Sequence, residues 1–308
     1  MTEKIGDLLA AGPTLSVEFF PPKTPEGLDN LSTTLDDLEK LRVPGLDGHG
    51  SDGHGSDGPV RDGLSFVSIT YGAGGSTRDR TRDLVVAVND ERPFPAMPHL
   101  TCMGHSRAEI DELLADYAAH DVRNVLALAG DPPADGSPAS GDFTYALELV
   151  EAARAAGDFS VGVAAHPELH PRSTDRAGDR RHLAEKLNAA DFGITQFFFD
   201  ADDYFRMVDE LAALGCTTPV LPGVMPLLNP TTVKRFAGMA GAAFPDDLAD
   251  RIEAAATPEE RLARAADAAA ELSHELLERG VPGLHLYCLN RSDIVAAVLD
   301  RLPELQHP

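Results

Sequence analysis

Two carboxylates, Glu18 and Asp131, lie where short apolar segments of the chain end. Glu18 interrupts the apolar run of SVEFFPPKT, and Asp131 follows Gly130 in LAGDPP, where two prolines fix a rigid turn. A carboxyl group among Val and Phe side chains has its charged form disfavoured, so we expect Glu18 to have a raised pKa and to act as a general acid. Each also has a structural alternative: an internal ion pair for Glu18 and a turn cap for Asp131.

Three further polar side chains occupy comparable places. His99 lies in PHLTC, where it is either a hydrogen-bonded core residue or part of a site. Gln196 in ITQFFFD carries an amide that suits the edge of an amide-like or pyrimidine-like ring. Arg291 in YCLNR has a planar guanidinium that either binds a substrate carboxylate or pairs with a neighbouring acid.

The segment AAHPELHP brings His166, Glu168 and His170 close together. This His-x-Glu-x-His pattern could suggest metal ligands, but its prolines predict an extended loop instead of a ligand-bearing helix. No complete ligand set with the usual spacing is present, so we predict no metal site.

Short β-rich segments alternate with longer amphipathic ones along the chain. Several are continuous apolar runs, as expected for parallel strands that are covered on both faces. The predicted strands span residues 14–19, 64–70, 96–101, 124–129, 159–165, 192–198, 219–224 and 283–289. Helices are predicted at 106–120, 202–214 and 257–279, the first with the capping-box pair Ser106 and Glu109.

Eight strands that alternate with helices predict an α/β protein, a (β/α)₈ TIM barrel forming a single domain over residues 1–308. A doubly wound sheet is the alternative, and the lack of a GxGxxG motif after the first predicted strand disfavours it. The carboxyl ends of barrel strands meet at one mouth, so the polar residues above should share a site there.

Residues 47–58 read DGHGSDGHGSDG, a Gly, Ser, Asp and His repeat that contains no apolar residue. Such a composition cannot bury a core and predicts a flexible surface insertion. Its histidines and aspartates could bind a transition metal weakly, although a solvated insertion is the simpler interpretation.

The formal net charge is −24, from 26 Lys plus Arg against 50 Asp plus Glu. A field of this sign repels phosphate backbones and anionic lipids, so we predict neither nucleic-acid nor membrane partners. The three cysteines are far apart, the start MTEKIGDLLAAGP lacks the pattern of a signal peptide, and no apolar run reaches the ~18 residues of a membrane span. These features predict a cytoplasmic protein.

Seven motifs, in their order along the chain, resemble those of bacterial-type methylenetetrahydrofolate reductases. They are SVEFFPPKT, FVSITYGAGGSTRDRT, PHLTC, LAGDPP, AAHPELHP, ITQFFFD and YCLNR. The resemblance runs from residue 14 to about residue 300 and places one motif after nearly every predicted strand.

This resemblance implies a barrel that reduces 5,10-methylenetetrahydrofolate to 5-methyltetrahydrofolate with NADH or NADPH. It implies that Glu18 is the general acid that opens the five-membered ring of the folate substrate. It also places Asp131 beside the pterin, where it stabilises positive charge, Gln196 in a hydrogen bond to the pterin, and Arg291 near the folate.

The resemblance further implies FAD as the hydride relay. The residues that match the flavin site are Thr70, His99, Gly130, Asp131, His166, His170, Asp179 and Lys186. This chain departs from the family pattern at Ala129, where an Arg is usual, at Ala184, where a Lys is usual, and at His166, where a Tyr is usual. A pyrophosphate needs cations or amide donors, so we hypothesise that FAD binding is weak or absent and that the nicotinamide passes its hydride directly to the folate.

Two other functions remain as alternatives from the residues. One is a metal-dependent barrel hydrolase or aldolase that uses His99, His166 and His170. The other is a catalytically silent folate-binding homologue, for which the altered cofactor helix is the argument.

Overall fold

A computed structural model describes residues 2–41, 63–71, 78–130 and 141–302. Within those ranges, nine parallel strands form one sheet in the order β7-β6-β5-β4-β3-β2-β1-β9-β8. The strands are β1 (Thr14–Phe19), β2 (Phe66–Ile69), β3 (Ala96–Thr101), β4 (Asn124–Leu128), β5 (Ser160–Ala165), β6 (Phe192–Thr195), β7 (Val220–Leu221), β8 (Gly223–Val224) and β9 (Gly283–Tyr287). The predicted insertion at 47–58 lies outside the described residues.

Helices follow the strands and pack around the sheet. They are α1 (Ile5–Ala11), α2 (Pro25–Glu39), α3 (Arg78–Glu91), α4 (Arg107–Ala119), α5 (Ala146–Ala156), α6 (Arg176–Ala189), α7 (Ala201–Ala213), α8 (Pro230–Ala240), α9 (Asp246–Glu253), α10 (Pro258–Glu278) and α11 (Ser292–Leu299). In the described part of the chain, no helix has the length and apolar character needed to cross a membrane.

The seventh barrel strand is divided into β7 and β8. These two halves are the two ends of the strand order, so they join the ends of the sheet into a barrel. β7 pairs with β6, β8 pairs with β9, and Pro222 lies between the two halves. A proline has no N–H to donate to a ladder, but its carbonyl oxygen accepts from His285 N at 3.0 Å. All eight predicted strands are therefore present, and β7 and β8 together form the seventh. The TIM barrel is confirmed, and the doubly wound sheet is wrong.

Capping residues in the sequence predicted the starts of α4, α7 and α10 to within one residue. Ser106 and Glu109 form the predicted capping box at the start of α4, and Thr257 caps α10 just before its first-turn proline. Helix α7 begins one residue before the predicted 202, because Asp200 accepts from Asp202 N at 2.9 Å and caps it. Several strands end earlier than predicted, since the apolar run continues into the loop at the barrel mouth.

The alternation of side chains along the strands divides the interior into two layers. Ile5 of α1 packs with inward residues of the strands in an apolar layer, whose strand members are Phe66, Met97, Leu126, Phe192, Ile194 and Leu221. Helix α1 closes that end, where Ile5 N donates to Asn124 Oδ1 at 2.7 Å and Gly6 N donates to Ser160 Oγ at 3.0 Å. Polar inward residues therefore lie nearer the carboxyl ends.

A glycine in the split strand makes room for an aromatic ring. A Cβ at Gly223 would lie 2.5 Å from Thr195 O and 2.6 Å from the ring of Tyr287. We expect Gly223→Ala to lower the free energy of unfolding by about 1–3 kcal/mol through overpacking, measured by urea denaturation. The matched control is Gly238→Ala in α8, where a Cβ meets no atom within 4 Å and should stabilise by about 0.5–1 kcal/mol. An unchanged midpoint for Gly223→Ala would show that the ring moves aside freely.

Candidate active site

A layer of polar side chains occupies the barrel interior above the apolar layer. In the β1–β9 and β1–β2 ladders, Ser16 is level with His285, and Glu18 is level with both Ser68 and Tyr287. These residues alternate with the outward-facing Val17 and Phe19, which pack in the core between the strands and the helices.

The carboxylate of Glu18 is the centre of this layer. Its Oε2 lies 3.3 Å from Nε2 of His99 and 3.7 Å from Nε2 of His285. The other ring nitrogen of His285, Nδ1, lies 2.8 Å from Oγ of Ser16. Only 11% of the Glu18 side chain is exposed, so these groups act on one another with little screening by water. Ser16, His285, Glu18 and His99 form one connected group.

The pKa of Glu18 is lowered, contrary to the expectation from the sequence. Burial raises the pKa of this carboxyl, but His99 and His285 outweigh burial and lower it from 4.5 to about 2. The expectation was wrong because it considered the neighbours of Glu18 along the chain, whereas adjacent residues of a strand point to opposite faces. Burial by itself favours the protonated carboxyl, so the charges and hydrogen bonds of the two histidines keep it ionised.

Three buried polar atoms of this layer make no well-formed hydrogen bond within the described residues, although the two imidazole nitrogens among them face the Glu18 carboxylate. They are Nε2 of His99, Nε2 of His285 and Oγ of Ser68. Leaving such atoms unpaired costs about 1–3 kcal/mol each. A ligand with polar atoms at this depth would therefore be bound by groups that are already desolvated and directed inward.

Tyr287 forms one wall of the layer. Its hydroxyl donates to Thr195 O at 2.7 Å, and its ring lies edge-on to His285 and Phe197, with centroids 5.3 and 6.0 Å away. Burial and the charge of Glu18 raise the pKa of Tyr287 well above its usual value, so its hydroxyl stays protonated. Tyr287 and His285 are not among the candidates that the sequence predicted. The signal for them is that both are polar and lie two residues apart in the strand GLHLY.

The other predicted binding residues lie around the mouth. Gln196 directly follows β6, and its Oε1 accepts from Phe197 N at 3.0 Å. Thr70 follows β2 and donates its N–H to Phe19 O at 2.8 Å, beside the end of β1. Arg291 follows β9 and forms an exposed ion pair in which its Nε lies 2.9 Å from Oδ1 of Asp293. Asp131, the second predicted catalytic carboxylate, lies outside the described residues.

Gly130 ends the fourth strand segment with a backbone that suits glycine. Its φ is +88°, a left-handed conformation that costs other residues energy. A Cβ there would also lie 3.1 Å from Cβ of Met103 and 3.3 Å from Cβ of Thr101. The glycine is thus required locally for the turn that leads towards Asp131.

A second group of titratable residues follows β5. The rings of His166 and His170 lie 4.6 Å apart, edge to face. Burial, and secondarily His170 and nearby cations, lower the pKa of His166 to about 3, so this ring is neutral at physiological pH. Asp179 accepts from Ser173 Oγ at 2.6 Å and pairs with Arg180 at 2.8 Å.

The two buried cations of this side, Lys186 and Arg180, are already engaged by the protein. The ammonium of Lys186 donates to Ala164 O at 2.6 Å, and burial lowers its pKa to about 8. Arg180 is buried and donates to the carbonyls of residues 166–168 and to Glu210, so it fixes the loop after β5. Ala129 and Ala184 carry no charge. The described residues of this region therefore fit the pyrophosphate of FAD poorly, since they offer it few free cations.

Cavity size alone does not locate the chemistry. A cavity of about 500 Å³ lies outside the barrel, between the start of α7, helices α9 and α10, and the loop at 243–245. Its walls combine the aromatic pair Phe199 and Phe244 with several carboxylates, and none of the polar layer around Glu18 lines it. Within the described residues, no group of three or more histidine, cysteine or carboxylate side chains is arranged to hold a metal ion.

Comparison with known proteins decides the family. A family model described as methylenetetrahydrofolate reductase matches residues 60–303. The 5,10-methylenetetrahydrofolate reductase of Pectobacterium carotovorum is 32% identical over 290 residues, which cover 94% of this chain and 89% of that protein. The chain belongs to the methylenetetrahydrofolate reductase family. The resemblance seen in the motifs is confirmed, and the hydrolase, aldolase and silent-homologue alternatives find no support.

One further relative and one solved structure of similar fold complete the comparison. A probable methylenetetrahydrofolate reductase (NADH) of rice is 34% identical over 97% of this chain, which spans about half of that protein's length. A solved structure, an uncharacterized protein from Clostridium thermocellum that binds two copies of 5-methyl-5,6,7,8-tetrahydrofolic acid, matches with a TM-score of 0.61. At 14% identity over 96% of both chains, it supports the fold of this reductase-family member.

The charge on Glu18 should make stability depend on pH. Its folded pKa is depressed from 4.5 to about 2, so its stabilising contribution is present above pH 4.5 and is lost as the pH falls towards 2. We expect the stability advantage of the wild type over Glu18→Gln to shrink by about 3 kcal/mol across that range, measured by urea unfolding.

The control for this experiment is Glu185→Gln, which removes an exposed carboxylate from α6. It should retain the pH dependence of the wild type. An advantage of the wild type over Glu18→Gln that grows as the pH falls would mean that the folded protein raises the pKa of Glu18.

Proposed function

We propose that this chain reduces 5,10-methylenetetrahydrofolate to 5-methyltetrahydrofolate with hydride from a reduced nicotinamide, and that Glu18 and its histidines supply the proton. Membership of the reductase family supports the reaction. The single observation that supports the site is the buried Glu18 carboxylate, which faces the imidazoles of His99 and His285 in the barrel interior. Such a layer suits the polar edge of a pterin.

Ring opening needs a proton on the substrate. The bond between the bridging carbon and N10 breaks, the electron pair stays on N10, and that nitrogen takes the proton. The product of this step is an iminium between N5 and the bridging carbon. The proton comes from the group formed by Glu18, His99 and His285, which holds it on imidazole or on the carboxyl according to the local charge.

Hydride transfer then completes the reaction. The nicotinamide gives its hydride to the bridging carbon of the iminium, which becomes the N5-methyl group, and the nicotinamide is released in its oxidised form. A negative charge beside the iminium lowers the barrier for its formation, and the ionised Glu18 is suitably buried for this role. Asp131 is proposed as a second such charge.

Other residues of the mouth are proposed to orient the substrate. Gln196 presents its amide beside the buried layer, where it can pair with the pterin edge once it releases Phe197 N. Arg291 can bind a carboxylate of the folate tail by exchanging its partner Asp293. The rice relative's name supports NADH as the nicotinamide.

We also propose that FAD binds weakly or not at all, so that the nicotinamide reduces the folate directly. The support is the lack of charge at Ala129 and Ala184 and the engagement of Lys186 and Arg180 with backbone carbonyls. Thr70, Gly130, His170 and Asp179 remain predicted lining residues of the nicotinamide or flavin side.

The protein is proposed to act in the cytoplasm as one domain with an insertion at 47–58. Its three cysteines are free and buried, which suits a reducing compartment.

The reaction is tested by an anaerobic assay of NADH oxidation with methylenetetrahydrofolate as acceptor. We expect turnover in the wild type and a loss of about 10²–10⁴-fold in kcat for Glu18→Gln, since the carboxyl that holds the proton together with His99 and His285 is removed. Glu185→Gln on the exposed face of α6 should be as active as the wild type. Full activity of Glu18→Gln would overturn the proposed proton donor.

The flavin proposal is tested on the same preparation. We expect the purified protein to show no stoichiometric flavin band in its visible spectrum, and its turnover to be unchanged by added FAD. Restoring the missing cation after β4 with Ala129→Arg should tighten FAD binding, measured by quenching of flavin fluorescence. A stoichiometric flavin band together with FAD-dependent turnover would reject flavin-free transfer.

A further inference from the structure

A strained turn joins β9 to the mouth of the barrel. Leu289 and Asn290 have φ values of +51° and +59°, and Arg291 N donates to Cys288 O at 3.0 Å. Two successive left-handed residues with this hydrogen bond follow the pattern of a type I′ turn, which prefers Gly, Asn or Asp. Leu289 is costly there, because a bulky side chain rarely adopts positive φ. Strain of this kind persists only where surrounding contacts hold it.

The contacts that hold this turn come from the end of β1. The side-chain amide of Asn290 makes two hydrogen bonds to the backbone of one residue: its Oδ1 accepts from Phe20 N, and its Nδ2 donates to Phe20 O, both at 2.8 Å. Two further contacts fix the same region, from Thr34 Oγ1 to Asn290 O at 3.4 Å and from Cys288 Sγ to Glu18 O at 3.1 Å. The backbone of Phe20 is thus clamped on both of its polar groups.

The clamped residue presents an exposed aromatic ring. Phe20 is 42% exposed, whereas its neighbour Phe19 is 1% exposed and packs in the core. Residues two apart in an extended chain share a side, so Phe20 stands on the same side as Glu18, one step nearer the solvent. An aromatic ring that is exposed on this side of the strand loses apolar burial, and a ligand ring stacked on it would restore that burial.

We propose that the ring of Phe20 is the stacking wall for the planar heteroaromatic ring of a bound substrate, and that Asn290 is the positioning residue that holds it. The ring it takes is either the pterin of the folate or the nicotinamide, which share a flat, polarisable face. This inference rests on the proposed function for the identity of those rings. It adds to that function the residue that orients the ring above Glu18.

The test compares variants of Phe20 by binding and by kinetics. Phe20→Leu removes the aromatic face but keeps apolar bulk, and Phe20→Tyr keeps the face. We expect Phe20→Leu to raise the KM and the Kd of one ring substrate about tenfold with little change in kcat, and Phe20→Tyr to match the wild type. Leu214→Ala is the control, because it removes a side chain that is 45% exposed after α7, at the opposite end of the barrel.

Separate measurements with the two ligands identify the ring. A higher KM for methylenetetrahydrofolate and a weaker Kd for 5-methyltetrahydrofolate place the pterin on Phe20, and the same changes for NADH place the nicotinamide there. The Kd values are measured without turnover, so they test the wall even if the wild type proves inactive as a reductase. Unchanged KM and Kd for both ligands in Phe20→Leu would overturn the proposal, as would a change confined to kcat and its pH profile.

Variants of Asn290 separate the clamp from the ring. Asn290→Gly suits a φ of +59° but removes both hydrogen bonds to Phe20, and Asn290→Asp keeps the acceptor and loses the donor. We expect both to raise the KM of the ligand that Phe20→Leu affects, with Asn290→Gly the more severe. Asn290→Gly with a wild-type KM and Kd for both ligands would reject the positioning role.

Discussion

The burial of one carboxylate governs the arrangement of this barrel. Glu18 has little access to water, and an ionised group in such a place needs partners to offset its desolvation. His99 and His285 supply them from the third and ninth strands, which lie on either side of β1 in the sheet. The apolar layer closed by Ile5 keeps solvent from the amino end, so the polar group opens only towards the mouth.

Closure of the barrel depends on how the seventh strand passes this polar layer. Pro222 breaks that strand into two short halves, yet its carbonyl still accepts from His285 N, so the residue that partners Glu18 is fixed at the seam. Gly223, just beyond, leaves room for Tyr287 and donates its N–H to Thr195 Oγ1 at 2.8 Å. The break in the seventh strand and the polar layer therefore share residues. A change in packing at the break would alter the surroundings of the Glu18 carboxylate.

The number and engagement of Lys and Arg side chains near the end of β5 distinguish this chain from the motif pattern of its family. Arg180 and Lys186 serve the backbone carbonyls at the end of β5, where they satisfy acceptors that would otherwise be buried without donors. A cation used in this way is no longer available to a phosphate. In a protein of net charge −24, each cation committed to structure further reduces the attraction for anionic ligands.

The amino-acid sequence by itself determined the eight strands and the helix caps, because periodicity and capping are local properties. It also identified Glu18, His99 and Gln196 as candidates, since polar residues in apolar strands are rare. It did not reveal His285 as a partner of Glu18, or Asn290 as the clamp of Phe20, for these pairs are about 270 residues apart in the chain. Only the folded barrel brought them together, and the pKa of Glu18 is lowered in it by His99 and, to a lesser extent, by His285.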